Sequence, residues 1–249
     1  MSIVTSRFIG RIGNNMFQLA AAIGYARRFG YEWRSASENK EVPEWFDYFP
    51  HLQKSNPRGS SYQCHDPSTF NFKPIPNMGS CTLMGFFQSL KYFEHCQDEV
   101  KEVFKLPVND AMKDYCSIHV RRGDYVKYKG SFPPVPISYV EKAITEMRSR
   151  GITKFIVFSD DLNWCKSKIK NVDFAAGNPF QDLSDMASCS NHIIANSTFS
   201  WWAAYLGINP DKHIISPSHK SWFGRENGVV QAIGFPKDII PDGWQQIDF

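Results

Sequence analysis

The stretch Y-C-S-I-H-V-R-R-G-D, residues 115–124, runs from an apolar segment of strand length straight into two arginines, a glycine and a carboxylate. A short apolar run bounded by turn chemistry reads as a buried strand, so Arg121, Arg122, Gly123 and Asp124 fall at its carboxyl end. The pattern recurs downstream. Residues 154–158, 192–196 and 213–216 are apolar runs of strand length, and residues 138–150, 161–168, 182–190 and 198–206 fill the gaps with helical spacing. Strands alternating with helices require a parallel sheet covered on both faces. The second half therefore reads as a doubly wound α/β lobe, in which ligands sit outside the carboxyl ends of the strands.

The first half repeats the logic less regularly. An apolar run over residues 3–9 leads through a Gly-rich turn into residues 14–29, where Met16, Leu19, Ala20, Ile23 and Ala26 recur at helical spacing before the stop signal Gly30. Residues 81–87 read as a buried strand. Residues 90–104 read as a helix ended by Pro107, with Tyr92, Phe93, Cys96, Val100, Val103 and Phe104 inward. Residues 57–76, rich in Pro, Ser, Asn and Gly, predict irregular structure. Residues 106–114 link two lobes, which places the first at 1–110 and the second at 111–249, the last residues packing back on the first.

Composition bounds the function classes. The 249 residues carry 28 Lys+Arg against 25 Asp+Glu, a net charge of +3, too slight for a dedicated nucleic-acid binder. Hydrophobic residues at 42% and charged residues at 21% fit an ordinary globular chain. No apolar stretch reaches the roughly 18 residues of a membrane span, and the opening residues lack the pattern of a signal peptide. The six cysteines are scattered singly with no C-x-x-C pair, so they read as reduced thiols of a cytoplasmic protein, with extracellular disulfides as the alternative. Arg27, Arg28 and Arg34 suit a solvated helix face, or peripheral contact with an anionic membrane surface.

Four segments carry chemistry. Guanidinium groups bind phosphate bidentately and stay charged, so Arg121 and Arg122 suit a diphosphate whose departure must be stabilised. The bland alternative is a local pair of Arg122 with Asp124. Gly10-Arg11-Ile12-Gly13-Asn14-Asn15 opens the first helix and suits close approach of an anion, or a tight turn capped by Asn14. Asp160 and Asp161 follow a strand and could accept hydrogen bonds from a ribose or guanine edge, or cap the next helix. A metal is disfavoured, because the two aspartates are contiguous rather than D-x-D and no His or Glu cluster lies near them. Ser197, Thr198 and Ser200 stand where a strand meets a helix and suit a phosphate, or Ser197 caps that helix. Trp201 and Trp202 suit core packing or an aromatic face for a sugar or base. The chain shows no G-x-S-x-G elbow and no P-loop.

Taken together, G-R-I-G-N-N-M-F-Q (10–18), G-F-F-Q-S-L-K-Y-F (85–93), S-I-H-V-R-R-G-D-Y-V (117–126), F-S-D-D (158–161) and I-I-A-N-S-T-F-S-W-W-A-A (193–204) resemble the α-1,2-fucosyltransferase family. Asn15 departs from the glutamine of the family pattern, and residues 35–80 hold no family landmark. The resemblance implies a GT-B fold, two Rossmann-like lobes facing a donor/acceptor cleft. It implies inverting, metal-independent transfer of L-fucose from GDP-fucose to O-2 of a terminal β-galactose of a glycan, with no cofactor beyond that donor substrate. It further implies that Arg121 and Arg122 stabilise the leaving diphosphate while Asp124 orients them. His119 and Asp161 would contact the nucleotide, as would Asp160 beside it. Tyr139 would touch the donor, Ser197, Thr198 and Ser200 would line the diphosphate, and Gly13 and Asn14 would close the donor cleft. No residue carries over as the general base. Another fucosyltransferase linkage, α-1,6 or protein O-linked, and a catalytically silent GDP- or glycan-binding protein are the alternative readings.

Overall fold

The computed structural model describes residues 2–36, 48, 49, 52, 54, 55, 60–63 and 70–249. Much of 57–76, and with it Cys64, lies outside the described residues. The chain divides into two compact units, residues 1–105 with 236–241, and residues 106–235 with 242–249. The division falls five residues before the position expected from sequence. Residues 236–241 pack with the first unit, where Asp238 accepts the Phe72 backbone N–H at 2.7 Å and pairs with Lys91 at 2.6 Å. The closing residues do not follow them, since they form a strand of the second unit.

In the first unit, β1 (Ile3–Ser6) leads to α1 (Ile12–Phe29) and then to the short β2 (Glu32–Trp33), β3 (Ser35–Ala36), β4 (Lys54–Ser55), β5 (Ser60–Gln63), β6 (Cys81–Met84) and α2 (Gln97–Val103). Its main sheet has the order β2-β1-β6-β5, with parallel pairing throughout. Helix α1 begins two residues earlier than expected and ends at Gly30, whose φ of 69° is the left-handed cap that glycine tolerates best. Met16, Phe17, Leu19, Ala20, Ile23 and Ala26 are fully buried on it.

The helix expected over 90–104 is broken. Residues Leu90–Tyr92 and Glu94–Cys96 form 3-10 turns, and only Gln97–Val103 is α-helical. The cause is the close approach of this segment to α1, where a Cβ on Gly24 would lie 2.1 Å from the Tyr92 carbonyl. His95 Nε2 hydrogen-bonds the Gly24 carbonyl at 2.9 Å, and Phe93 leaves the helical region at φ −140°. Fitting Tyr92 and Phe93 under α1 overrides a helical hydrophobic pattern.

The second unit holds β7 (Cys116–Val120), α3 (Gly123–Lys127), α4 (Ile137–Ser149), β8 (Phe155–Ser159), α5 (Leu162–Lys168), β9 (Asp173–Phe174) and α6 (Pro179–Ser188). It continues with β10 (Asn191–Ile193), α7 (Thr198–Leu206), β11 (Ile214–Pro217), α8 (His219–Trp222), α9 (Gly228–Ile233) and β12 (Gln245–Ile247). The sheet order is β12-β11-β10-β7-β8-β9, and every pairing is parallel. Counted within the unit this is 6-5-4-1-2-3, the doubly wound order whose direction reverses between β7 and β10. Ile118, Val120, Val157 and Ile193 from the sheet, with Ala195 just beyond β10, pack with Tyr139, Val140, Ala143 and Met147 of α4 as one buried cluster. Helix α6 starts three residues before its expected position, because Pro179 occupies its first turn and Asn178 Oδ1 accepts the N–H groups of Phe180 and Gln181. The five described cysteines are free. Among the described residues no helix is long and apolar enough to cross a membrane.

Candidate functional site

Reversal of strand order opens a crevice at the carboxyl ends of β7 and β10, and the two arginines stand there. Arg121 donates through Nη2 to Asp124 Oδ1 and lies 2.6 Å through Nη1 from Asp160 Oδ2. Asp160 Oδ1 in turn accepts the backbone N–H of Arg122 at 2.8 Å. Arg122 donates through Nε to Asp161 Oδ2 at 3.1 Å, and its guanidinium carbon sits 3.8 Å from the centroid of the Trp164 ring. Asp161 also caps α5, its Oδ1 accepting from Trp164 N at 3.1 Å. Both arginine side chains are less than a fifth exposed. Cation–π stacking and ion pairing fix the planes of the guanidinium groups.

Each guanidinium carries five N–H donors, and the contacts above use only part of that set. For Arg122 the two terminal amino groups lie beyond the Nε contact, so an anion can be received without breaking the pair with Asp161. The expected pairing of Arg122 with Asp124 is corrected, because Asp124 pairs with Arg121. Gly123 is required by this geometry: a Cβ there would lie 2.5 Å from Asp160 Oδ2. Neither Asp160 nor Trp164 was assigned from sequence as an anchor of the arginines, since their contact depends on β7 and β8 being neighbours.

His119 is the penultimate residue of β7, beside the crevice. Its ring is buried and stands 5.7 Å from that of Phe199, and its Nδ1 has no hydrogen-bond partner. Burial, with Arg121 adding repulsion, pushes its pKa down to about 3, so it is a neutral group. Ser197 occupies the N-cap position of α7 without a side-chain cap bond, and Thr198 opens the helix half-buried. Ser200 is fully buried with its hydroxyl on Ser197 O at 3.3 Å, so it supports the turn and does not line a phosphate surface. Tyr139 is corrected likewise. It is 1% exposed, its hydroxyl donates to Ile194 O at 2.7 Å, and its ring belongs to the core under the sheet. Trp201 and Trp202 are fully buried.

Asn196 was not singled out from the sequence. Its Nδ2 donates to Pro133 O and Trp222 O, both at 3.0 Å, and its carbonyl accepts from the Tyr125 hydroxyl. It thereby ties together the loops that follow β7, β10 and β11.

Gly13 and Asn14 lie in the first unit, in the first turn of α1. Asn14 does not cap α1, since Arg11 holds that position. The motif around them divides its labour. Asn15 and Gln18 grip the backbone of Ile9, Asn15 Nδ2 and Gln18 Nε2 donating to its carbonyl at 3.1 and 3.2 Å while Gln18 Oε1 accepts its N–H at 3.0 Å. Asn15, shorter than the glutamine of the family pattern, still reaches Ile9. Asn14 instead accepts from Gln88 Nε2 at 2.9 Å, joining the first turn of α1 to the turn after β6. Among the described residues no three His, Cys, Asp or Glu side chains are grouped to hold a metal ion.

A doubly wound parallel sheet with anchored arginines at its switch point has the architecture of a GT-B-like glycosyltransferase. The chain belongs to glycosyl transferase family 11, whose model matches residues 43–229, and this is the α-1,2-fucosyltransferase family that its motifs resemble. It is 30% identical to an α-1,2-colitosyltransferase of Escherichia coli across the whole of both chains. It is 28% identical to galactoside α-(1,2)-fucosyltransferase 2 of Mus musculus over 96% of this chain and 80% of the relative. A crystal structure of the α-1,6-fucosyltransferase NodZ soaked with GDP-fucose shares the fold at a TM-score of 0.52 and 14% identity, over 88% of this chain and 96% of that one.

Proposed function

We propose that this glycosyltransferase moves L-fucose from GDP-fucose to O-2 of a terminal β-galactose, with inversion and without a metal ion. The arrangement of Arg121 and Arg122 at the β7–β10 switch point carries the reading. As the acceptor oxygen forms its bond to the anomeric carbon, its proton passes to water, and the bond from that carbon to the diphosphate oxygen breaks with its electron pair settling on the β-phosphate. Two guanidinium groups held in place by Asp124, Asp160, Asp161 and Trp164 stabilise that charge without reorganising, the role a divalent cation plays elsewhere. Asp124 orients Arg121, and His119, Asp161, Ser197 and Thr198 lie around the same crevice to bind the nucleotide.

The colitosyltransferase relative favours a second reading, in which the donor sugar is colitose. Purified protein offered GDP-fucose and GDP-colitose in competition, with a β-galactoside acceptor, separates the two. The proposal expects fucose on O-2, identified by NMR of the product. Transfer of colitose alone, or a linkage to another oxygen, overturns it.

A further inference from the structure

Three observations converge on Gln88. It is 4% exposed, its Nε2 donates to Asn14 Oδ1 at 2.9 Å, and its Oε1 is buried without a hydrogen-bond partner. The residue before it, Phe87, is fully buried at φ +49°, one of two described non-glycine residues with positive φ. Both lie at the turn leaving β6, beside the turn leaving β1, and β1 is the strand from which the first unit's sheet extends toward β2 on one side and β6 on the other.

Each feature is unfavourable for folding alone. A left-handed phenylalanine strains the backbone, and an unpaired buried carboxamide oxygen loses its hydration with nothing in return. Their shared consequence is functional in form. The turn at Phe87 sends its ring into the core, edge-on to Tyr92 at 5.3 Å between centroids, while Gln88 meets Asn14. Since Asn14 takes the Nε2 proton, Gln88 is left with a pure acceptor. A carboxamide oxygen repels phosphate, which is itself an acceptor at neutral pH, and suits a neutral O–H donor.

We infer that Gln88 Oε1 receives a pyranose hydroxyl in the working enzyme, making it a sugar-positioning residue of the first unit. The inference rests on the proposed fucosyl transfer for its two possible sources, the fucosyl group of the donor or the galactosyl group of the acceptor. Gln88→Met keeps the volume and removes the acceptor, whereas Gln88→Glu keeps an oxygen there. GDP affinity, which involves no pyranose, is expected to stay within about twofold in both variants, while one KM rises ~10-fold in Gln88→Met with partial recovery in Gln88→Glu. A raised KM for GDP-fucose identifies the fucosyl source, and a raised KM for the β-galactoside the galactosyl one. Both KM values within about twofold of wild type, or a parallel loss of GDP affinity, overturn the inference. Should the wild type transfer no fucose, the functional proposal fails separately, and saturation-transfer NMR with L-fucose and methyl β-galactoside decides this one. Loss of a wild-type signal in Gln88→Met supports it; equal signals, or none in either protein, refute it.

Discussion

Asp160 holds Arg121: its Oδ2 lies 2.6 Å from Arg121 Nη1, and its Oδ1 accepts the next backbone N–H, that of Arg122, at 2.8 Å. One carboxylate thus fixes both the side chain and the main chain of the arginine pair. Asp160→Asn is expected to lower kcat by about 100-fold, the scale of a misplacement near 1 Å, with a smaller change in the KM for GDP-fucose. Steady-state kinetics check this, and an unchanged kcat removes Asp160 from the positioning role.

Gly123→Ala tests the same contact from the other side. The added methyl would lie 2.5 Å from Asp160 Oδ2, so it displaces the carboxylate from Arg121. A fall in kcat similar to that of Asp160→Asn, and no further fall in the double variant, is the expected pattern in a double-mutant cycle.

Much of this is legible in the sequence alone. Alternation of apolar runs with helical spacing fixed the parallel sheet of the second unit, and the position of Arg121 directly after β7 placed it at a ligand-binding edge. What escaped was set by packing between distant segments. The break at Phe93 follows from Gly24 admitting the Tyr92 carbonyl, 68 residues along the chain, which no local periodicity records. Tyr139 and Ser200 carry polar groups that suit a ligand, yet both face the core, because the hydroxyl of each is satisfied by a nearby carbonyl. Asp160 read as a ligand-binding carboxylate, and only strand adjacency reveals its partner.

Tyr139→Phe provides the matching negative test. Removing the hydroxyl that bonds Ile194 O is expected to cost about 1 kcal/mol of stability in chemical denaturation, with the KM for GDP-fucose unchanged. A raised donor KM at wild-type stability would return Tyr139 to the site.

Two groups give stability opposite dependences on pH. Burial, with Lys212 second, pushes His192 down to about 3, below the ordinary histidine value of about 6.5. Its contribution is therefore fully present above pH ~6.5 and is lost as pH falls from there toward 3. Burial, with Asp185 second, raises Asp182 to about 6, and its contribution is present below its unfolded value of about 4 and lost as pH rises through 6. Asp182→Asn should accordingly raise the thermal midpoint at pH 8 and leave it nearly unchanged at pH 4. Equal shifts at both values would contradict the buried-carboxyl assignment.

The central claim is that anchored arginines, and no cation, stabilise the departing diphosphate. Its most direct test is the rate of GDP release from GDP-fucose with a β-galactoside acceptor, measured in EDTA for the wild type and for Arg122→Lys, which keeps the charge but loses the planar stack on Trp164. The account predicts an undiminished wild-type rate in EDTA and a loss of about 100-fold or more in Arg122→Lys. A wild-type rate abolished by EDTA and restored by added Mg²⁺ or Mn²⁺ would contradict it.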